Sequence, residues 1–291
     1  MSAGGGRGLF AVLGHPISHS LSPVLYRAAF EELGIDAEYL AIDVKGDRFA
    51  GTLDDLHRRG AAGMSITAPL KELALRHARA CSQDAARAGA ANCMRRMEGG
   101  FEVTNTDGQG FLDFLQEVEF AIEGVEVALI GGGGAASGLA PALLRSGAAV
   151  SVIARRPEVA RELAGLRDAP VHHWGSPKAR SLLGAATLVI NCTPLGASSW
   201  EELPCNPLQM SPAATAVDLR YAPRRTAWLI AAARRGCTAY DGLGLLVHQA
   251  ARSLTYWLDV EPPLDRLRKA VQWEPKPISP DGENPAASAG D

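Results

Sequence analysis

The stretch VEVALIGGGGAASGLAPALLRSGAAVSVIARR, residues 125–156, decides the fold. An apolar run (VALI) leads into four glycines, the glycines open an alanine- and leucine-rich helical segment, and a second apolar run (AVSVIA) follows. Gly131, Gly132, Gly133, Gly134, Ala135 and Ala136 satisfy G-x-G-x-x-G/A between a strand and a helix, the setting in which that pattern carries meaning. Glycines there let the backbone turn tightly and approach a pyrophosphate, whose charge faces the unpaired N–H groups and positive dipole end of the helix. The segment therefore predicts a strand–turn–helix–strand unit that binds a dinucleotide.

The end of the second run specifies which dinucleotide. An NAD site places an Asp or Glu about 20 residues beyond the turn, to hold the ribose 2′-hydroxyl. Here no acid is present and Arg155 and Arg156 stand instead. Two guanidinium groups suit a 2′-phosphate through charge-assisted, bidentate bonds, which favours NADP. The competing reading is that one of the two is ordinary solvated charge, in a chain with 24 Arg against 5 Lys.

Outward from this unit the alternation continues. TLVINCTPLG, AATAVDLRY and the stretch before YDGLG supply later strand ends, and AEYLAIDV, FAGTLDDLHRRG, GMSITA and a helix from about Leu70 to Ala80 do the same earlier in the chain. Strands alternating with helices imply crossover connections and mainly parallel sheets, hence an α/β class. With 291 residues the chain fits two domains. The expected division is a first α/β domain at 9–107, completed by C-terminal helices at 245–273, and a dinucleotide-binding domain at 108–244. Residues 1–8 and 274–291 read as flexible tails with little to bury.

Composition narrows the function classes. A net charge of −3 gives no basic surplus for nucleic acid. Five cysteines, odd in number and without C-x-x-C, argue against a disulfide framework and against a zinc site, so no metal is expected. No apolar run reaches the roughly 18 residues a membrane helix needs. MSAGGGRG lacks the apolar centre of a signal peptide, and a cytoplasmic protein, monomeric or homodimeric, is expected.

The first half concentrates uncharged polar groups beside one Lys and one Asp. GMSITAPLKE places Lys71 just after Pro69, near the start of a helix, where an ammonium faces the unfavourable end of the dipole and so asks for another reason to be there. GAANC and VTNTDGQG carry Asn92 and Asp107, the latter also a plausible helix cap. If Lys71 and Asp107 meet, each holds the other charged, and the pair forms a proton-transfer apparatus suited to reducing a ketone beside a nicotinamide. GHPISHSLSPVLY, residues 14–26, crowds Ser18, Ser20 and Ser22 with two histidines at a strand–helix join, more hydroxyls than a turn requires.

Taken in order, GHPISHSLSP, SITAPLKE, AGAANC, NTDGQG, GGGGAA, NCTPLG, VDLRYAPRRT and DGLGLLVHQA closely resemble the shikimate dehydrogenase family, from about Phe10 to Trp273. The resemblance implies a two-domain enzyme that reduces 3-dehydroshikimate to shikimate with NADPH, reversibly, in the pathway to the aromatic amino acids. It implies that Ser20 and Ser22 bind the substrate carboxylate, with Tyr221 also on that side. Ser65, Thr67, Asn92, Asp107 and Gln249 would surround the ring hydroxyls. Lys71 and Asp107 match the catalytic pair. Gly131 to Ala135, Arg155 and Arg156 match the cofactor side, with Thr193, Leu219 and Gly242 near the nicotinamide. His15, His19 and His248 match no acid–base position.

Four departures stand out. Ser65 occupies the place of a common Asn, Leu245 that of a Met, Ala154-Arg155-Arg156 that of N-R-T, and Arg220 brings a charge into the D-x-x-Y motif. Ser65 and Arg220 leave quinate or an aminoshikimate as alternative substrates. A metabolite sensor without turnover is the remaining alternative, and retention of both Lys71 and Asp107 speaks against it.

Overall fold

The computed structural model describes residues 7–203 and 205–281. The chain divides into two compact units, one comprising the described residues up to Gly110 with Leu246–Trp273, the other Phe111–Leu245 with the described residues from Glu274 on. Each unit carries one six-stranded sheet.

In the first unit the order along the chain is β1 (Gly8–Gly14), α1 (Ser22–Glu32), β2 (Ala37–Asp43), α2 (Phe49–Arg58), β3 (Gly63–Ile66), α3 (Lys71–Arg76), β4 (Ala80–Cys81), α4 (Gln83–Ala88), β5 (Cys93–Met97), β6 (Gly100–Thr104) and the start of α5 (Asp107–Glu117). The strands lie in the order β2-β1-β3-β5-β6-β4. β2, β1 and β3 run parallel, while β5 pairs antiparallel with both β3 and β6. The antiparallel hairpin is a departure from the crossover pattern read from sequence. Its turn, through Glu98 and Gly99, is short enough to join antiparallel neighbours directly. The third helix is also shorter than expected. It stops at Arg76, not Ala80, because Ala80 and Cys81 are taken by pairing with β6.

Alternation along β1 sets the two faces of this sheet. Ala11 and Leu13 join Met64, Ile66, Met94, Phe101 and Val103 under Phe49, Leu53 and Leu56 of α2 and Leu70 and Ala74 beside α3. Phe10 points the other way, into a ring cluster with Phe30 of α1 and Trp257. Trp257 lies in a later helix, whose residues from Leu246 onward belong to this unit. Its indole Nε1 donates to Met94 O at 2.8 Å, and a Cβ placed on Gly63 would lie 2.7 Å from the same ring.

The second unit contains β7 (Glu126–Ile130), α6 (Gly134–Arg145), β8 (Ala149–Ala154), α7 (Pro157–Glu162), β9 (Val171–His173), α8 (Pro177–Ala185), β10 (Leu188–Asn191), β11 (Thr215–Asp218), α9 (Ala227–Arg235) and β12 (Thr238–Tyr240). The strand order is β12-β11-β10-β7-β8-β9, and every pair is parallel. That is the doubly wound order of dinucleotide-binding domains, with its switch point between β7 and β10, where a ligand site forms at the carboxyl ends of the strands. α10 (Leu243–Leu258) and α11 (Leu264–Ala270) complete the helices. α11 packs on α1.

The reading of both ends as tails is corrected where residues are described. Gly8 begins β1, its N–H bonded to Asp36 O. Residues 274–281 are held by the second unit: Ile278 packs on its core and donates its N–H to Ala239 O at 2.8 Å, and Arg225 binds the carbonyls of Ser279 and Pro280. One isoleucine and two accepting carbonyls suffice to anchor a segment whose composition looks unstructured. The remaining tail positions, 1–6 and 282–291, lie outside the described residues.

Candidate active site

Lys71 opens α3 and Asp107 opens α5, and the two side chains meet with Nζ to Oδ2 at 2.6 Å. The second oxygen of Asp107, Oδ1, accepts from Asn92 Nδ2 at 2.7 Å, so both carboxylate oxygens are engaged. Asn92 is fixed in turn, because its Oδ1 accepts the N–H of Thr106 at 2.8 Å. Asn105 completes the frame, taking the N–H of Asp107 on Oδ1 and donating from Nδ2 to Ala90 O. The Lys71 side chain is 19% exposed and that of Asp107 10%, so the ion pair sits in a largely dry setting yet keeps one open side. An ammonium positioned this way can give a proton to an oxygen placed against it and take it back, without either partner having to move into position.

Of the other substrate-side residues expected from sequence, Ser65 is bound by a residue that the sequence reading passed over. The Tyr39 hydroxyl donates to Ser65 Oγ at 2.8 Å. Tyr39 stacks on Tyr26, whose ring centroid is 4.4 Å away, and burial pushes both phenols well above their ordinary range. Ser20 Oγ accepts the N–H of Ser22 at 3.3 Å, which ties the two serines at the start of α1. Thr67 closes β3 and accepts the N–H of Leu70 on its carbonyl. Gln249 is buried, its Nε2 bonded to Leu246 O. Ser253, one turn on, touches Thr106 Oγ1 at 3.2 Å, so α10 reaches the Asn92–Asp107 frame. Tyr221 belongs to the second unit, after β11. Thr106 and Asn105 were legible as part of the polar run NTDG. Ser253, Tyr39 and Tyr26 carried no signal beyond helix and strand periodicity.

Two of the three histidines, His15 and His248, have structural roles. His15 Nδ1 bonds Asp43 at 2.6 Å, which holds that carboxyl below its usual range and braces the turn before α1. His248 is buried, edge-on to Trp273.

In the second unit a pocket of about 270 Å³ is lined by Gly131, Gly132, Gly133, Arg155, Arg156 and Thr193, among others. Gly131 has φ +107°, and a Cβ on it would lie 2.7 Å from the Thr193 methyl. A Cβ on Gly132 would lie 2.5 Å from that of Ala160, while those on Gly133 and Gly134 would meet only open space. The turn thus presents bare backbone, with the first N–H groups of the twelve-residue α6 left without helical partners. These donors and the two arginines fit a dinucleotide carrying a further phosphate. Trp174, which no sequence pattern flagged, lines the same pocket with the Arg155 guanidinium 5.8 Å from its ring centroid. Thr193 is set by Asn191, whose Oδ1 accepts both its N–H and its hydroxyl. Leu219 and Gly242 meet each other, the glycine N–H bonding Arg220 O, and neither lines this pocket. Arg220 turns its guanidinium onto the carbonyls of Pro194 and Ala222 and so braces the loop after β10.

Family models agree with this assembly. Residues 12–94 match that for the "Shikimate dehydrogenase substrate binding domain", and residues 242–272 that for the "Shikimate 5'-dehydrogenase C-terminal domain". A shikimate dehydrogenase (NADP(+)) of Moorella thermoacetica is 40% identical over 278 residues, covering 91% of this chain and 94% of the relative. The chain belongs to the shikimate dehydrogenase family. Among solved structures of the family, shikimate 5-dehydrogenase of Thermus thermophilus, in complex with NADP(H) and shikimate, is 34% identical with a TM-score of 0.82, covering 91% of this chain and 99% of that one. The 5-ketofructose reductase of Gluconobacter sp. strain CHM43, ligand-free, is 26% identical with a TM-score of 0.78, covering 92% and 99%.

Proposed function

We propose that this shikimate dehydrogenase family member catalyses the reversible, NADP-dependent reduction of 3-dehydroshikimate to shikimate. The observation that carries the proposal is the Lys71–Asp107 pair, locked by Asn92, in the same chain as a glycine turn flanked by two arginines. NADP, when bound, supplies or accepts the hydride. Lys71 delivers a proton to the carbonyl oxygen during reduction and removes it from the hydroxyl during oxidation. Asp107 keeps the ammonium charged and aimed, and Asn92 keeps Asp107 aimed. Ser20 and Ser22 hold the substrate carboxylate through their hydroxyls, with Tyr221 on the same side. Ser65, Thr67 and Gln249 bind ring hydroxyls, and Tyr39 and Tyr26 hold the Ser65 hydroxyl in place. Arg155 and Arg156 hold the 2′-phosphate, while Thr193, Leu219 and Gly242 shape the nicotinamide end.

The reading is tested by following NADP reduction at 340 nm with shikimate, with quinate and without acid, and repeating each with NAD. Shikimate with NADP is expected to give the highest kcat/KM. A higher value with quinate or NAD overturns the assignment of substrate or cofactor, and no turnover with any combination overturns the enzyme reading.

A further inference from the structure

The first unit holds a second pocket, of about 620 Å³, that the dehydrogenase chemistry does not use. Its lining brings together three elements: α2 with Leu53, Asp54, His57 and Arg58; the end of α3 and the segment after it, with Arg76, His77 and Arg79; and the hairpin turn at Gly99, Gly100 and Phe101. Three guanidinium groups and one carboxylate, that of Asp54, are among the lining groups, while the carboxylates of Asp55 and Glu72, which pair with Arg58 and Arg76, are not. The chain as a whole is acidic, with 32 Asp and Glu against 29 Lys and Arg, so a lining richer in guanidinium than in carboxylate departs from the average surface.

The guanidinium groups are available to a ligand. Arg58 and Arg76 make exposed pairs with Asp55 and Glu72, at 3.3 and 3.8 Å, on their own helices, and Arg58 Nε also donates to Asp54 O at 3.4 Å; such exposed contacts are weak enough to be exchanged. Arg79 Nε donates to Gly99 O at 3.0 Å, which fixes the side chain across the hairpin while its terminal nitrogens have no partner among the described residues. The floor is apolar, formed by buried Leu53 and Phe101, with the His57 ring edge-on to Phe101 at 5.4 Å. Three guanidinium-bearing residues lining one pocket, over an apolar floor, in a volume suited to a small molecule, make a recognition surface for a phosphorylated ligand.

We infer that this pocket is a second binding site, for a small molecule bearing two or more phosphate groups. The inference is independent of the dehydrogenase reading. The probe is inorganic pyrophosphate, titrated calorimetrically into the full chain saturated with NADP, so that the glycine-turn pocket is filled, against sulfate at matched ionic strength. Saturable binding is expected with pyrophosphate. It should weaken at least about tenfold in Arg58→Ala/Arg76→Ala, whose side chains are exposed, and in Arg79→Ala, with turnover of shikimate by the first variant unchanged. Amide shifts at Gly99 and Gly100 on titration would place the ligand. Absence of saturable binding, equal binding of sulfate, loss of binding once NADP is present, or full affinity in both variants would overturn it.

Discussion

At the scale of single residues, the site is governed by which groups are held and which are left open. Asp107 binds Lys71 through one oxygen and Asn92 through the other, so the carboxylate is held in place and fixes the ammonium. Removing the ammonium should therefore cost chemistry and not binding. Lys71→Ala is expected to lower kcat by about 10² to 10⁴ with KM for shikimate within about threefold, measured by NADP reduction. An unchanged kcat would remove Lys71 from proton transfer. Asn92→Ala is its natural companion, since it frees Asp107 without touching Lys71 directly. The pair was legible in the sequence because a lysine in a first turn works against the helix dipole. Tyr39 was not, because a buried tyrosine in AEYLAID satisfies a strand's periodicity and carries no sign of where its hydroxyl ends.

At the scale of elements, close approach between backbones does what side chains do elsewhere. The glycine turn between β7 and α6 is built so tightly that Gly132 has no room for a methyl beside Ala160 and Ala154. Gly132→Ala must push α7 away and open the pocket. Overpacking of this kind costs about 1–3 kcal/mol, or about 5- to 150-fold. If that strain falls on the cofactor-bound form, KM for NADP rises by such a factor while kcat at saturation holds. An unaltered KM would show that α7 yields freely. This turn, its helix and the parallel order of the second sheet could be read in advance because a short apolar run, four glycines and a second run leave few alternatives. The β5–β6 hairpin could not. CMRRMEGGFEVT alternates weakly, its pairing is settled by the neighbouring β3, and only the two glycines at 99 and 100 hint at the reversal. The early end of α3 has the same origin, since Ala80 and Cys81 are claimed by a partner strand that lies well further along the chain.

At the scale of the whole molecule, each unit has its own core, and stability is set by what each buries. The second unit buries Asp218 completely among Thr226, Asn191 and the Arg220 N–H, and burial pushes its carboxyl up to about 6 from 3.8. The folded chain then keeps a proton that the unfolded chain releases. This group's stabilising contribution is present below about pH 4 and is lost as pH rises through about 6, a change of about 3 kcal/mol. Urea melts of wild type and Asp218→Asn between pH 4 and 7 should show the wild type losing stability relative to the variant across that window. A difference that stays flat with pH would rule out Asp218 as the source. The segment from Glu274 to Asp281 has a different consequence for the same unit. β12 is the outermost strand of its sheet, and Ile278 supplies a hydrogen bond to Ala239, so the segment works as a guard on an edge that would otherwise offer its backbone to another chain. A chain ending at Trp273 is expected to self-associate on gel filtration at concentrations where the full chain does not. Its dehydrogenase activity per folded molecule should be retained, which makes these last residues a device against aggregation and not against loss of catalysis.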